Sequence, residues 1–255
     1  MNINIETMRH YQAPNNLLAE RVILVTGASD GIGRVAAKTY AQLGATVLLL
    51  GRDLKKLEAV YDEIEAAGGA QPAIIPLNFS AAIAAEFEQL AINIEQEFGR
   101  LDGILHCAAI LGDITPLEMY NPDTWDEVMK VNLRAPFMLT QQLLPLLKKA
   151  PDASIIFMSS SVGRQARAFW GAYAVSKAGI ENLTVLLAEE LAATSNIRVN
   201  CINPQATRTT MRAKAYPAED PVNVPTAEQI MPMFSYLMGA ESKGMTGQSF
   251  DARDK

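Results

Sequence analysis

A single α/β domain, doubly wound about a mainly parallel sheet of seven strands with helices on both faces, is the fold this chain predicts. Three observations carry that expectation. Short apolar runs alternate with longer helical patterns along the length of the chain. The runs are apolar at consecutive positions, as in strands buried on both faces. A glycine-rich turn that opens a helix follows the first run directly. Strand–helix alternation implies right-handed crossovers, which gather the strands into one covered sheet. The 255 residues suffice for one such domain with its own core.

Residues 1–19 are polar and read as an N-terminal extension, packed on the surface or partly disordered, ahead of a single domain over 20–255. Strands are expected at 21–26 (RVILVT), 46–50, 73–77, 101–107, 154–159, 197–202 and 246–251. Helices are expected at 32–43, 54–67, 82–98, 122–149, 171–193 and 227–239. Gly44 and Gly68-Gly69 act as stop signals, and Asn121-Pro122 reads as an N-cap with proline at N1. Pro136 and Pro145 should kink or split the 122–149 segment. Residues 207–226, with Pro217, Pro221 and Pro225 amid polar side chains, read as a lid over substrate.

Composition narrows the function. Net charge is −6 with no block of like charge, which predicts no nucleic-acid and no membrane-surface partner. No apolar run reaches the ~18 residues of a membrane span. The polar N-terminus lacks the apolar core of a secretory signal. Cys107 and Cys201 lie in strand-like runs and read as buried thiols of a reducing, cytoplasmic compartment. His10 and His106 are far apart, and no cluster has metal-ligand spacing, so no metal is expected.

The glycine turn reads Thr26-Gly27-Ala28-Ser29-Asp30-Gly31-Ile32-Gly33. Strand, glycine turn and helix N-terminus are what a dinucleotide diphosphate requires. The first glycine gap is one residue wider than in G-x-G-x-x-G. At the end of the second strand stands Gly51-Arg52-Asp53. Arg52 can pair with a ribose 2′-phosphate through a charge-assisted fork, whereas an NAD site places a carboxylate there. Asp53 is either that carboxylate or the cap of the next helix. The reading favours NADP(H), with NAD(H) as the alternative.

Tyr173 and Lys177 (YAVSK) stand at i and i+4, on one helix face, and Ser160 lies thirteen residues earlier. A free tyrosine titrates near pH ~10. A lysine cation about 4 Å away, at an effective dielectric near 20, would favour the phenolate by ~4 kcal/mol, or roughly three pKa units. That predicts a tyrosine brought into the range of acid–base catalysis at neutral pH.

Together the glycine loop, Ser160, Tyr173 and Lys177 resemble the short-chain dehydrogenase/reductase family, over residues 20–251. The stretches ILVTGASDGIGR, LLPLLKK, SSSVGRQ, FWGAYAVSK and RVNCINP are similar to those of the bacterial YciK-like oxidoreductases. The resemblance implies a Rossmann-like fold and hydride transfer between a nicotinamide cofactor and a small-molecule carbonyl or alcohol. It implies that Ser160 holds the substrate oxygen, Tyr173 exchanges its proton, and Lys177 lowers the tyrosine pKa and binds the ribose. Asn132 would complete the tetrad at a helix irregularity, anchoring a water that links Lys177 to solvent. Asn78, Ala108, Pro204, Thr207 and Thr209 would border the cofactor. A homodimer or homotetramer packed through helices such as 171–193 is also implied.

Three positions depart from the family pattern. Cys107-Ala108-Ala109 replaces Asn-Ala-Gly, Pro204-Gln205 replaces Pro-Gly, and Asn78 stands where aspartate is common. At Gln205 the expectation is an ordinary φ, or strain. Arg164, Arg167, Phe169, Trp170, Met211 and Arg212 are the expected substrate residues, with Trp170 as an apolar wall and the arginines meeting an anionic or polar group. Two rival functions are 3-oxoacyl-thioester reduction and a non-catalytic NADP(H) sensor or scaffold.

Overall fold

The structure, a computed structural model, describes residues 4–254. Positions 1–3 of the expected extension lie outside the described residues. The strands are β1 (Val22–Thr26), β2 (Thr46–Gly51), β3 (Ala73–Pro76), β4 (Gly103–His106), β5 (Ser154–Met158), β6 (Arg198–Asn203) and β7 (Ser249–Asp251). They form one sheet in the order β3-β2-β1-β4-β5-β6-β7, parallel at every pairing. The helices are α1 (Ile5–Arg9), α2 (Gly31–Gln42), α3 (Leu54–Ala66), α4 (Ala84–Phe98), α5 (Pro122–Met129), α6 (Ala135–Leu147), α7 (Ser161–Arg164), α8 (Gly171–Leu191), α9 (Thr210–Ala215) and α10 (Met231–Met238). The seven strands appear where the apolar runs place them. The expected runs 101–107 and 246–251 are trimmed to four and three residues.

Strand side chains alternate between two cores. Ile23, Val25, Val47, Leu49, Leu105 and Ile156 join residues of α2, α3 and α10. Leu24, Leu48, Leu50, Ile104, Ile155 and Phe157 join α4, α6 and α8. Each fully buried leucine or isoleucine contributes about 2 kcal/mol of transfer free energy. Both faces being covered is why these strands read as continuous apolar runs. Over residues 4–20 the N-terminal segment is packed: Met8 and Leu18 are buried in the first core, and Tyr11 sits edge-on to Tyr236 at 5.2 Å.

Segment 122–149 is indeed split, but not at Pro145, which sits inside α6 two residues before its C-terminal end. The break is a π turn over Lys130–Arg134, just ahead of Pro136. Proline has no N–H for the carbonyl four residues back, and its ring crowds that carbonyl. Four back from Pro136 is Asn132, so the irregularity falls on the residue expected at one. Near the end of the helix, Pro145 is tolerated within α6. The winding direction reverses between β1 and β4, which opens a crevice beyond the carboxyl ends of the strands.

Candidate active site

A cleft of about 1030 Å³ fills that crevice. Its floor is the glycine turn. Gly27 is left-handed (φ 68°), and a Cβ there would lie 2.9 Å from Ala108 Cα. A Cβ on Gly33 would meet the Gly27 carbonyl oxygen at 2.3 Å, so neither position admits a side chain. The turn delivers Ser29, Asp30, Gly31 and Ile32 to the cleft wall, while Gly33 is buried behind it. Asp30 caps α2, accepting from the Gly31 N–H at 2.7 Å and from the Thr210 hydroxyl at 3.2 Å. The N–H groups of Cys107 and Ala108 are both taken by the Thr26 hydroxyl at 3.0 Å. The Cys107 thiol accepts from the Gly33 N–H. Cys107 is only partly buried, because β4 ends one residue earlier and leaves it on the cleft floor; Cys201 is buried as expected.

At the end of β2 the ambiguity over Asp53 is resolved. Its carboxylate caps α3 through the Lys56 N–H at 3.2 Å. Arg52 and Lys56 both border the cleft there, and neither forms an ion pair among the described residues. Asn78 lies at the same end and accepts from the Ser80 N–H at 3.2 Å. The fit to a dinucleotide is good: side-chain-free glycines at a helix N-terminus, then an unpaired guanidinium one strand away.

Ser160, Tyr173 and Lys177 line the middle of the cleft together. Ser160 is the residue after the β5 exit at Ser159 and starts α7; Tyr173 and Lys177 project from the first two turns of α8. Gly163 lets α7 approach α8: a Cβ there would be 2.8 Å from Lys177 backbone carbon. Lys177 donates to the Met158 carbonyl at 2.7 Å, and its ammonium lies 5.6 Å from the Tyr173 ring centre. Burial pushes the Tyr173 phenol up to about 12, against the downward pull of a hydrogen bond with Ser160. Burial also lowers the Lys177 ammonium pKa. The expected lowering of the tyrosine by its lysine is therefore corrected. Both groups are withdrawn from water, and desolvation of the phenolate outweighs a cation that is turned onto a carbonyl.

Asn132 stands behind the cleft rather than in its lining, 1% exposed. Its side chain accepts from the Ile110 N–H (2.8 Å) and donates to the Ile110 carbonyl (2.9 Å) and to Ser176 Oγ (3.1 Å). Ser176, whose hydroxyl donates to the Tyr173 carbonyl at 2.8 Å, was missed from the sequence. Its signal was a small polar residue inside an apolar helix, one position before Lys177.

On the far side of Tyr173, Trp170 forms the expected wall, 5.7 Å from the Tyr173 ring and 6.0 Å from Tyr216. Pro204, Thr207 and Thr209 border the cleft, and Thr209 caps α9. Gln205 adopts the strained alternative, with φ 61°. Arg164 is a correction. It does not line the cleft; its guanidinium binds Glu181 (3.0 Å), Asp251 (2.7 Å) and Ser249 (2.6 Å), tying α7 to α8 and β7. Arg212 borders the cleft but is engaged by Glu219 in a two-pronged pair at 2.7 Å, stacked 3.7 Å over Tyr216. Among the described residues there is no metal-ligating cluster, and no helix is long and apolar enough to cross a membrane.

A phenol, a hydroxyl and an ammonium in one cleft can polarise a carbonyl and move a proton to it. Comparison with known proteins identifies the family. The short chain dehydrogenase family model matches residues 21–220. The uncharacterized oxidoreductase YciK of Escherichia coli (strain K12) is 52% identical over 244 residues, covering 96% of each chain. A short chain dehydrogenase from Escherichia coli CFT073, complexed with NADPH, superposes with a TM-score of 0.92 at 51% identity, over 94% of this chain and 100% of the other. The 3-oxoacyl-[acyl-carrier-protein] reductase FabG of Thermotoga maritima is 34% identical over 77% of this chain and 78% of its own. Fold, cleft and relatives converge, and the chain belongs to the short-chain dehydrogenase family of oxidoreductases.

Proposed function

We propose that this protein is an NADP(H)-dependent oxidoreductase interconverting a small-molecule carbonyl and its alcohol, with Tyr173 as the proton-exchanging group. The carrying observation is that Ser160, Tyr173 and Lys177 share one cleft with the glycine turn. Bound NADP(H) would supply or accept the hydride. The backbone from Gly27 to Ile32 would hold its diphosphate and Arg52 its 2′-phosphate, while Thr207 and Thr209 border the nicotinamide end. The NADPH complex of the CFT073 relative supports that preference. NAD(H) is less well served, because the Asp53 carboxylate is engaged in capping α3.

Ser160 would hydrogen-bond the substrate oxygen and orient its carbon. Tyr173, raised to about 12, is protonated at neutral pH and so is ready to donate, which suits carbonyl reduction. As the phenolate forms, the buried Lys177 is the cation that stabilises it. Asn132 ties the π turn to Ile110 and Ser176 through its side chain, and its main-chain carbonyl, which Pro136 cannot partner, would accept a water for proton resupply. A second, mainly apolar cavity of about 640 Å³ where α5, the π turn and the start of α6 face α8, bordered by Phe137 and Leu186, supports association through these helices as a homodimer or homotetramer. Likeness to FabG keeps 3-oxoacyl-thioester reduction as the second reading.

The test is Tyr173→Phe assayed on a panel of ketones, aldehydes and oxoacyl thioesters. Turnover should fall about a thousandfold, with NADPH affinity retained. Wild-type kcat/KM should be higher with NADPH than with NADH. Turnover unchanged in the variant would remove Tyr173 from the chemistry, and no turnover on any compound would point to a sensor or scaffold.

A further inference from the structure

Of the four cations on α7, α9 and the connection that follows α7, two are already paired. Arg164 is turned away onto Glu181 and Asp251, and Arg212 is held by Glu219. Arg167 and Lys214 also border the cleft, are exposed, and form no ion pair among the described residues. They come from opposite walls. Arg167 lies on the connection between α7 and α8, and Lys214 lies on α9 in the segment read as a lid. Both walls also contribute to an apolar cluster in which Val162, Tyr173 and Ala174 pack against Leu111, Trp170 and Met211. Met211 belongs to α9, so the segment read as a lid already packs against the cluster that contains Tyr173. Of the carboxylates that border this region, Asp30 is held by the Gly31 N–H and the Thr210 hydroxyl, whereas Asp113 has no side-chain partner among the described residues.

We infer that the substrate is a ketone or secondary alcohol whose apolar, preferably aromatic, body lies on Trp170 and Met211 and whose distal carboxylate is gripped between Arg167 and Lys214. The inference rests on the oxidoreductase reading above and names its substrate class. Gripping one anion from both walls makes lid closure depend on the charge of the substrate. A neutral ketone would leave Arg167 and Lys214 solvated and would gain only the apolar contacts.

Calorimetric titration tests this without requiring turnover. Benzoylpropionate, its methyl ester and the phosphonate analogue are titrated into the protein alone and into the protein with NADPH. The acid should bind about tenfold or more tightly than the ester, and added salt should erode the difference. Arg167→Gln and Lys214→Met should each reduce the acid-to-ester ratio severalfold, whereas Arg167→Lys should keep most of it. Both side chains are exposed, so the variants should fold. Equal binding of acid and ester, binding of neither, tighter binding of the phosphonate, or a ratio surviving both substitutions would overturn the inference. None of those results touches the Tyr173→Phe test. Conversely, a tyrosine variant that kept its turnover would leave this charge preference measurable.

Discussion

The two ends of the parallel strands treat charge in opposite ways. At their amino ends, charged groups are buried and matched. Asp152 binds Arg21 at 2.8 Å and also pairs with Arg198, which donates further to the Gly239 carbonyl at 3.0 Å. Asp102 accepts from the Val22 N–H at 2.9 Å and from Arg100 at 3.1 Å. These residues open β1, β4, β5 and β6 or immediately precede them, so the lower rim is a lattice of compensated charge. At the carboxyl ends the two buried ionisable side chains of the proposed tetrad have neutral hydrogen-bond partners. Tyr173 has the Ser160 hydroxyl, and Lys177 has the Met158 carbonyl. Arg52 and Arg167 stand unpaired at the cleft, and Gln205 is strained. One rim fixes the sheet; the other is left incomplete in a way that a ligand can complete.

Removing a charge from the matched rim should have the largest effect. Asp152→Ala leaves Arg198, 4% exposed, and Arg21 without their counter-ion. An uncompensated buried charge costs about 3–5 kcal/mol, which should appear as a lower midpoint in denaturant unfolding. A loss below ~1 kcal/mol would show that the rim is solvated and that the contrast is false.

The unmatched rim should reveal itself through pH. A phenol raised to about 12 is protonated across the neutral range, and its phenolate fraction grows tenfold per pH unit below that value. Alcohol oxidation needs the phenolate; carbonyl reduction needs the phenol. The kcat/KM for oxidation should therefore rise about a hundredfold from pH ~7 to ~9, with reduction nearly flat. An oxidation profile that levels off near pH ~7 would mean that Lys177 does tune the tyrosine once cofactor is present. Stability follows the same sign. The raised phenol supports the fold at full strength below pH ~10, and that contribution fades as pH climbs through about 12.

What the sequence disclosed follows the same division. Buried strands announce themselves as apolar runs because both faces are covered, and the glycine turn is legible because side chains cannot fit there. Spacing placed Tyr173 and Lys177 on one face but could not show that the ammonium would turn to Met158, nineteen residues upstream. Arg164 looked like a substrate residue because its partners Glu181 and Asp251 are brought to it only by the tertiary fold. Family likeness implies the helix irregularity at Asn132, and Pro136 predicts a kink or split in 122–149, but only the structure shows that the two are one feature. Local rules place residues on elements; which charge meets which is decided by crossovers that no short window contains.

The smallest effect tests the strain directly. Gln205 is held at φ 61°, with its N–H donating to Asn203 Oδ1 at 3.1 Å, so the backbone cannot relax without losing that bond. A left-handed conformation costs a side-chain-bearing residue about 1–2 kcal/mol. Glycine removes that cost but makes the unfolded chain more flexible, which returns about 0.4–1 kcal/mol. Gln205→Gly should thus stabilise the protein by roughly 0.5–1 kcal/mol in denaturant unfolding. The position borders the cleft, so the same variant reports on ligand binding. A gain in stability with unchanged NADPH affinity would make the strain a local residue of sequence change at this loop. A gain in stability with weakened NADPH binding would show that the strained loop is held in the shape the ligand needs. No gain at all would mean that the Gln205 side chain makes compensating contacts, and the carboxyl rim would be better satisfied than its unpaired groups imply.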